Sequence, residues 1–251
     1  MTGLKPLVRA HFLASRRNKT EIFFTFAFPL IFVVVFGLMF GNQPAGNGKR
    51  TIDYMAPGVM AWGVGNAAVF GVGYSLVKWR ETDLLRLIRR TPTSVLTLLV
   101  SRLAVVLAVA LVQAALFLAV AMAPPFHLHV TPIGLLLTVP VLVCGGLAFY
   151  SLGVLVGNVS RTSDAVAAIS NCVMVPMAFL SGSFIPLSQS PGWLRAVSYL
   201  LPLRYMNQAI TGVLGGGGQV GRLVLCCLVL LAFAALVTLP VVKNFRWENK
   251  R

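Results

Sequence analysis

Two histidines, His127 and His129, are the residues of this sequence that come nearest to a metal-binding pattern. Imidazole is a common ligand for Zn²⁺, but a metal site needs further ligands to complete the coordination. Pro124 and Pro125 precede the pair, and no carboxylate or thiol lies close to it in the sequence. We therefore predict no metal site. A membrane-embedded enzyme that uses both histidines stays an alternative.

The sequence gives equally little support for ATP binding and hydrolysis. A P-loop has the pattern G-x-x-x-x-G-K-[ST], because backbone N–H groups and the lysine must surround the phosphates. The single Gly-Lys pair, Gly48–Lys49, has Gln43 in place of the first glycine and Arg50 in place of the hydroxyl residue. We predict that the chain is not an enzyme, does not hydrolyse ATP and binds no cofactor itself.

Asp164 is the only acid inside the predicted membrane spans described below, and Arg161 precedes it by three residues. Intramembrane acids often serve as proton relays. Asp164, however, lies at the start of a span, where a helix dipole favours an anion. A channel or proton-coupled carrier is therefore a weaker alternative.

Composition indicates an integral membrane protein. The 251 residues are 57% hydrophobic and have a mean hydropathy of +0.85. The net charge of +15 could suggest nucleic acid. We predict no such partner, because basic residues commonly flank membrane spans. The first apolar run is too long for a signal peptide. The four cysteines lie in apolar runs, and their spacing does not match a metal-binding motif.

The sequence predicts an all-α integral membrane protein with six spans, since each needs about 20 apolar residues. These are 22–41, 55–76, 95–122, 133–157, 164–182 and 221–242. The glycines of the second span indicate close helix packing. Lysine and arginine are concentrated near the termini and in residues 76–95. Both termini are therefore predicted to be cytoplasmic.

Two further segments are predicted to form helices that do not span. Residues 3–19 place apolar side chains on one face and basic ones elsewhere, as in a helix that lies in the membrane interface. Residues 184–210 contain Pro186, Pro191 and Pro202 among aromatic residues. We expect one or two short re-entrant helices there, at the outer interface.

The segment KWRETDLLRLIRRTPTS, residues 78–94, contains seven charged residues between two apolar runs. Residues 81–91 are predicted to form a short cytoplasmic helix with acids at its start, arginines at its end and Leu84, Leu87 and Ile88 along one face. A role in topology alone explains the basic residues. The acids and the apolar stripe favour a docking site for a partner protein.

These features resemble the permease subunits of ABC-2 type transporters of the daunorubicin-resistance type. The similarity rests on RETDLLRLIRRTPTS, on YMAPGVMAW at 54–62, and on LSGSFIPLSQSPGWLRAVSYLLPLRYMNQAI at 180–210. It covers nearly the whole chain, treated as one transmembrane domain, 1–251. Such a permease lies in a bacterial plasma membrane and pairs with a second copy or a homologue. Two cytoplasmic ATPase subunits hold the ATP and Mg and drive export of hydrophobic drugs, lipids or glycans.

The resemblance implies two groups of functional residues. The side chains expected to couple to the ATPase lie on the 81–91 helix and its approach and on the N-terminal helix: Arg80, Glu81, Asp83, Leu84, Leu87, Arg90, Arg16 and Arg17. The expected substrate path is mainly apolar, because the spans contain few charges. Its candidate lining residues are the polar or aromatic ones within spans: Asn66, Gln113, Tyr150, Asn171 and Phe179.

Overall fold

A computed structural model describes most of the chain, and every regular element within that part is helical. The described residues are 4–17, 22–41, 43, 50–84, 95–124, 126–128, 130–184, 187, 190–215 and 219–243. The elements in chain order are α1 (Leu4–Arg17), a π-helical turn (Phe23–Ala27) that runs into α2 (Phe28–Phe40), α3 (Thr51–Glu81), α4 (Val95–Met122), α5 (Pro132–Val159), α6 (Ser163–Leu180), α7 (Gly192–Ser198), α8 (Pro202–Leu214) and α9 (Val220–Lys243).

Five of these helices, α3, α4, α5, α6 and α9, contain a stretch long and apolar enough to cross a membrane. Each lies in the region of one predicted span. The predicted first span, 22–41, corresponds to a shorter apolar helix, Thr25–Phe40. The six predicted spans are thus matched by five helices of sufficient length and one shorter helix.

Helix α3 forms the centre of the bundle and packs against α2, α4, α5, α6 and α8. Its glycines allow this, because a helix without side chains on one face can approach its neighbours closely. A Cβ atom on Gly157 of α5 would lie 3.0 Å from the carbonyl oxygen of Gly73. The indole of Trp62 donates a hydrogen bond to the Met174 carbonyl of α6 at 3.2 Å.

The charged segment differs from its prediction at its start. Glu81 is the last residue of α3, and Thr82 and Asp83 form a turn before the chain is helical again at Leu84. Lys78 and Arg80 lie in the last turn of α3, where basic residues suit the negative end of the helix dipole. Asp83 has φ 53°, a left-handed conformation that aspartate tolerates better than most residues. The prediction that a separate helix begins at Glu81 is therefore wrong, and 85–91 lie outside the described residues.

The two segments predicted not to span each contain helix in their described parts. The N-terminal helix, predicted over 3–19, is α1, Leu4–Arg17. The region 184–210 contains α7 and the first part of α8, which continues to Leu214. Pro191 and Pro202 lie at the N-terminal ends of these two helices. The N–H that proline lacks would have no acceptor within the helix at these positions.

Candidate functional site

Four of the predicted coupling residues, Arg80, Glu81, Asp83 and Leu84, lie at one end of α3, and Arg80 points into the bundle. Its side chain is 7% exposed, and Nη1 donates a hydrogen bond to the Ser160 carbonyl at 3.0 Å. Ser160 is the C-cap of α5, so the guanidinium lies at the negative end of that helix dipole. The structure therefore gives Arg80 a contact within the chain that fixes α3 against α5.

The residues that follow Arg80 lie at the surface. Glu81, Thr82 and Asp83 are exposed, and Leu84 is half-buried against the hydrophobic core. Leu87 and Arg90 lie outside the described residues, and the side chains of Arg16 and Arg17 are not described. Two carboxylates on an exposed turn, with an apolar residue beside them, form a surface that can bind basic side chains.

Helix α1 packs against α4 close to this end of α3. His11 is buried, and its ring centroid lies 5.1 Å from that of Trp79. Burial, and then the charge of Arg102, lower the pKa of His11 from 6.5 to about 4. Phe12 and Leu13 on α1 are exposed. The amphipathic helix thus buries a neutral histidine on one side and presents apolar residues on another.

The predicted path residues separate into two groups. Gln113 and Tyr150 are buried in the interior of the bundle, with 3% and 7% of their surfaces exposed. The Tyr150 hydroxyl donates to the Leu99 carbonyl at 2.7 Å, so it joins α5 to α4. Asn171 and Phe179 on α6 are exposed, and Asn66 on α3 is half-buried. The five residues do not line one channel within a single chain.

The accessible members of this set lie on α3 and α6, two helices that pack against each other. On α3, Asn66, Phe70 and Tyr74 follow one another at intervals of four residues, and none of them is buried. On α6, Asn171 and Val175 have the same spacing and are both exposed. We call these five residues the α3–α6 stripe. Side chains four residues apart share a helix face, so each helix contributes one polar and one or two bulky apolar groups.

An aromatic cluster that was not among the predicted sites joins α2, α3 and α6. The Phe184 ring, in the turn after α6, has its centroid 5.5 Å from Phe32, 5.7 Å from Trp62 and 5.2 Å from Phe179. Phenylalanine recurs every four residues along this part of the chain, at positions 28, 32, 36 and 40. This spacing could have predicted the cluster from the sequence, since it places the rings on one helix face.

At the opposite end of α3 a polar network connects three elements. The Tyr54 hydroxyl donates to the Gly182 carbonyl in the turn that follows α6. From α8, Asn207 Nδ2 donates to Ser183 Oγ at 2.8 Å. On the same helix, the buried Arg204 guanidinium lies 3.6 Å from the centre of the Tyr199 ring. These contacts fix the α6–α8 region against the start of α3.

The two histidines are not brought into a described metal geometry, since His129 lies outside the described residues. His127 lies in the loop between α4 and α5, with φ 46°. Its carbonyl accepts a hydrogen bond of 2.9 Å from Arg50, which also pairs with Asp53 at 3.1 Å. The backbone of His127 therefore serves to tie this loop to the start of α3.

Comparison with known proteins gives a consistent result. A family model described as ABC-2 type transporter matches residues 2–214. Nodulation protein J of Rhizobium meliloti (strain 1021) is 32% identical over 107 residues, which are 40% of this chain and 40% of that protein. Linearmycin resistance permease protein LnrN of Bacillus subtilis (strain 168) is 24% identical over 100 residues, 40% of this chain and 26% of that protein. The chain thus spans less than half the length of these curated relatives.

Proposed function

Because the chain belongs to the ABC-2 type transporter family, we propose that it is the membrane-spanning permease subunit of an ATP-driven exporter. The observation that carries the proposal is the family match over residues 2–214, in a chain with five helices able to cross a membrane among its described residues. Its sequence contains no P-loop pattern. ATP and Mg are therefore assigned to two separate ATPase subunits.

The proposed topology has six spans with both termini in the cytoplasm of a bacterial cell. In addition to the five long helices, the π-helical turn and α2, which together cover Phe23–Phe40, form the sixth proposed span. An even number of spans returns the chain to its starting side. Basic residues are concentrated near both termini and around residues 76–95, which supports placing these segments on the cytoplasmic side.

The proposed substrate is a hydrophobic or amphipathic compound, such as an antibiotic or a lipid-like molecule. The spans contain few charges, and a path without charges suits a ligand that is mostly apolar. One relative is by its name a permease for resistance to linearmycin, which supports the antibiotic class. Asn66 and Asn171 are the polar groups of the α3–α6 stripe that such a substrate would contact.

A second permease subunit completes the proposed transporter. Asn171 lies near the middle of α6 and is exposed in the single chain. A polar amide is unfavourable against lipid, and polar groups in spans nearly always face protein or water. The α3–α6 stripe therefore faces a second copy or a homologue, with the substrate path between the two.

The exposed turn after α3 is the proposed contact with the ATPase. Glu81 and Asp83 provide negative charges there, and Leu84 provides an apolar group. Arg80 does not reach the partner in this arrangement. Its bond to Ser160 instead transmits movement of the turn to α5.

Co-purification with the ATPase subunit tests this contact. Glu81→Gln with Asp83→Asn removes both charges, while asparagine still accepts the left-handed conformation of residue 83. We expect at least a fivefold loss of bound ATPase and of ATP hydrolysis. The matched control is Asp53→Asn, which removes a carboxylate at the other end of α3 and should leave both unchanged.

Two results would contradict the proposal at different levels. Full binding of the ATPase by the double variant would show that these charges are not the contact. Failure of the unaltered chain to associate with any ATPase would contradict the transporter function itself.

A further inference from the structure

Gln113 is a buried carboxamide for which the described structure offers no hydrogen-bond partner. It lies in α4 with 3% of its surface exposed. Neither Oε1 nor Nε2 has a partner within the described part of the chain. Buried polar groups are normally paired, and the penalty for leaving one unpaired is larger in a membrane, where water cannot compensate. Such a side chain indicates a function in another conformation.

Three helices meet where Gln113 ends. A Cβ atom built on Gly63 of α3 would lie 2.8 Å from Gln113 Nε2 and 3.2 Å from Pro29 Cβ. The amide and the proline of α2 are therefore neighbours across a gap that exists because residue 63 has no side chain. Pro29 itself is buried. The end of Gln113 thus lies beside the least regular part of the first apolar helix.

Pro29 removes a main-chain donor from this irregular stretch. The turn Phe23–Ala27 is π-helical, and the Phe28 N–H donates to the Phe23 carbonyl. Position 29 has no N–H to offer, because it is proline. In an α-helical register the Thr25 carbonyl loses its donor, and in a π-helical register the Phe24 carbonyl loses it. Either way one carbonyl before Pro29 loses the donor that another residue at position 29 would supply, and is open to a side-chain donor.

We propose that Gln113 is a latch for the first span, which closes when its side-chain amide donates to the carbonyl that Pro29 leaves without a donor. In the present conformation the latch is open, because Nε2 has no partner among the described residues. A shift of the π-helical turn towards α4 closes it and satisfies a donor and an acceptor together. Turns of π-helix within α-helices are frequent at functional sites and can change register.

The latch rests on the proposed transport function, since it assigns the two conformations to two stages of the ATP-driven cycle. Gly63 provides the space in which the amide moves. Any side chain at position 63 would meet both Gln113 and Pro29. The first span would therefore alternate between a free and a latched position as the ATPase binds and hydrolyses ATP.

The test uses the complex of this chain with its ATPase in lipid nanodiscs. Gln113→Leu keeps the bulk of the side chain and removes the amide. We expect at least a fivefold lower rate of ATP hydrolysis with an unchanged yield of complex. Pro29→Ala restores the missing N–H and so removes the free acceptor. It should lower the rate as well, and the double variant Pro29→Ala with Gln113→Leu should lose no more than twofold beyond Gln113→Leu alone.

Thr138→Val is the matched control, because it removes a buried hydroxyl from α5 whose hydrogen bond is to the Gly134 carbonyl of its own helix. It should leave ATP hydrolysis unchanged. An unaltered rate in Gln113→Leu would overturn the latch. So would losses that multiply in the double variant, since a purely structural role for Gln113 does not depend on position 29.

A structural measurement on the unaltered complex covers the case in which a variant fails to assemble. Electron cryomicroscopy of the nucleotide-free and the vanadate-trapped complex gives the separation between Gln113 Nε2 and the Phe24 and Thr25 carbonyl oxygens. The latch requires hydrogen-bond distance in one of the two states. Wide separation in both would refute it. An unaltered complex that forms but hydrolyses no ATP would instead refute the proposed function.

Discussion

Replacement of Gly153 by alanine should separate the two most closely packed helices of the bundle. Gly153 and Gly157 lie four residues apart on α5 and face Val69 and Gly73 of α3. The added methyl carbon would lie 2.7 Å from the Val69 carbonyl oxygen and 2.8 Å from Val69 Cα. Both are main-chain atoms, so no side-chain rotation can relieve the overlap.

The expected cost follows from these distances. Carbon atoms pack best at about 3.5–4.0 Å, so α3 and α5 must move apart by roughly 0.7 Å or more. Overpacking of this kind costs about 1–3 kcal/mol, and the rigid contact places Gly153→Ala near the upper value. Alanine gains about 1 kcal/mol over glycine in a helix interior. The net loss is therefore about 2 kcal/mol.

Unfolding of the purified chain in mixed detergent–SDS micelles measures this loss. Gly221→Ala is the matched control, because a Cβ atom on Gly221 of α9 would meet nothing within 4 Å. It should gain the helix preference alone, up to about 1 kcal/mol. The two variants should then differ by about 2–3 kcal/mol. Equal unfolding free energies would refute the argument that glycine permits the approach of α3 and α5.

Three other predictions concern the ends and the surface of the bundle. Tyr54→Phe removes the bond to the Gly182 carbonyl and should lower the unfolding free energy by about 1 kcal/mol in the same assay. Because burial and Arg102 lower the pKa of His11 from 6.5 to about 4, docking of α1 should be complete above pH 6.5 and weaken as the pH falls towards 4. Limited proteolysis of the N-terminal segment measures this, and His11→Phe should abolish the pH dependence. Asn171→Leu should leave the single chain stable but reduce chemical cross-linking to a second copy in membranes. Unchanged cross-linking would count against the α3–α6 stripe as an interface.

Local patterns in the sequence predicted the helices and much of their packing. Apolar runs with polar boundaries identified the regions of α3, α4, α5, α6 and α9. The glycines of α3 were predicted to mark close packing, and the structure confirms this at Gly63 and Gly73, which lie against α2, α4 and α5. These predictions succeeded because periodicity and residue size act within one helix.

Contacts between distant segments were not predictable in the same way. Arg80 belongs to a run of charges that the sequence assigns to a surface, yet its guanidinium reaches Ser160. Asp83 was expected inside a separate helix, but it lies in the turn after α3 with a left-handed backbone. Helix α3 itself continues about one turn beyond the end of the predicted apolar span. The neighbours of Gln113 and Phe184 come from other helices, and no spacing along the chain encodes which helices become neighbours.

The position of α3 explains how events at the two ends of the bundle can be coupled. Its 31 residues span about 46 Å at 1.5 Å per residue. At one end Arg80 bonds to the end of α5, and at the other Tyr54 bonds to the turn after α6. Between them, most residues of α3 are buried against neighbouring helices, so a force applied at Glu81 and Asp83 would be passed to those helices along its length. Gly63 lies between these ends, where the same displacement changes the gap that separates Gln113 from Pro29. A motor at the exposed turn would thus act on the first span without touching it.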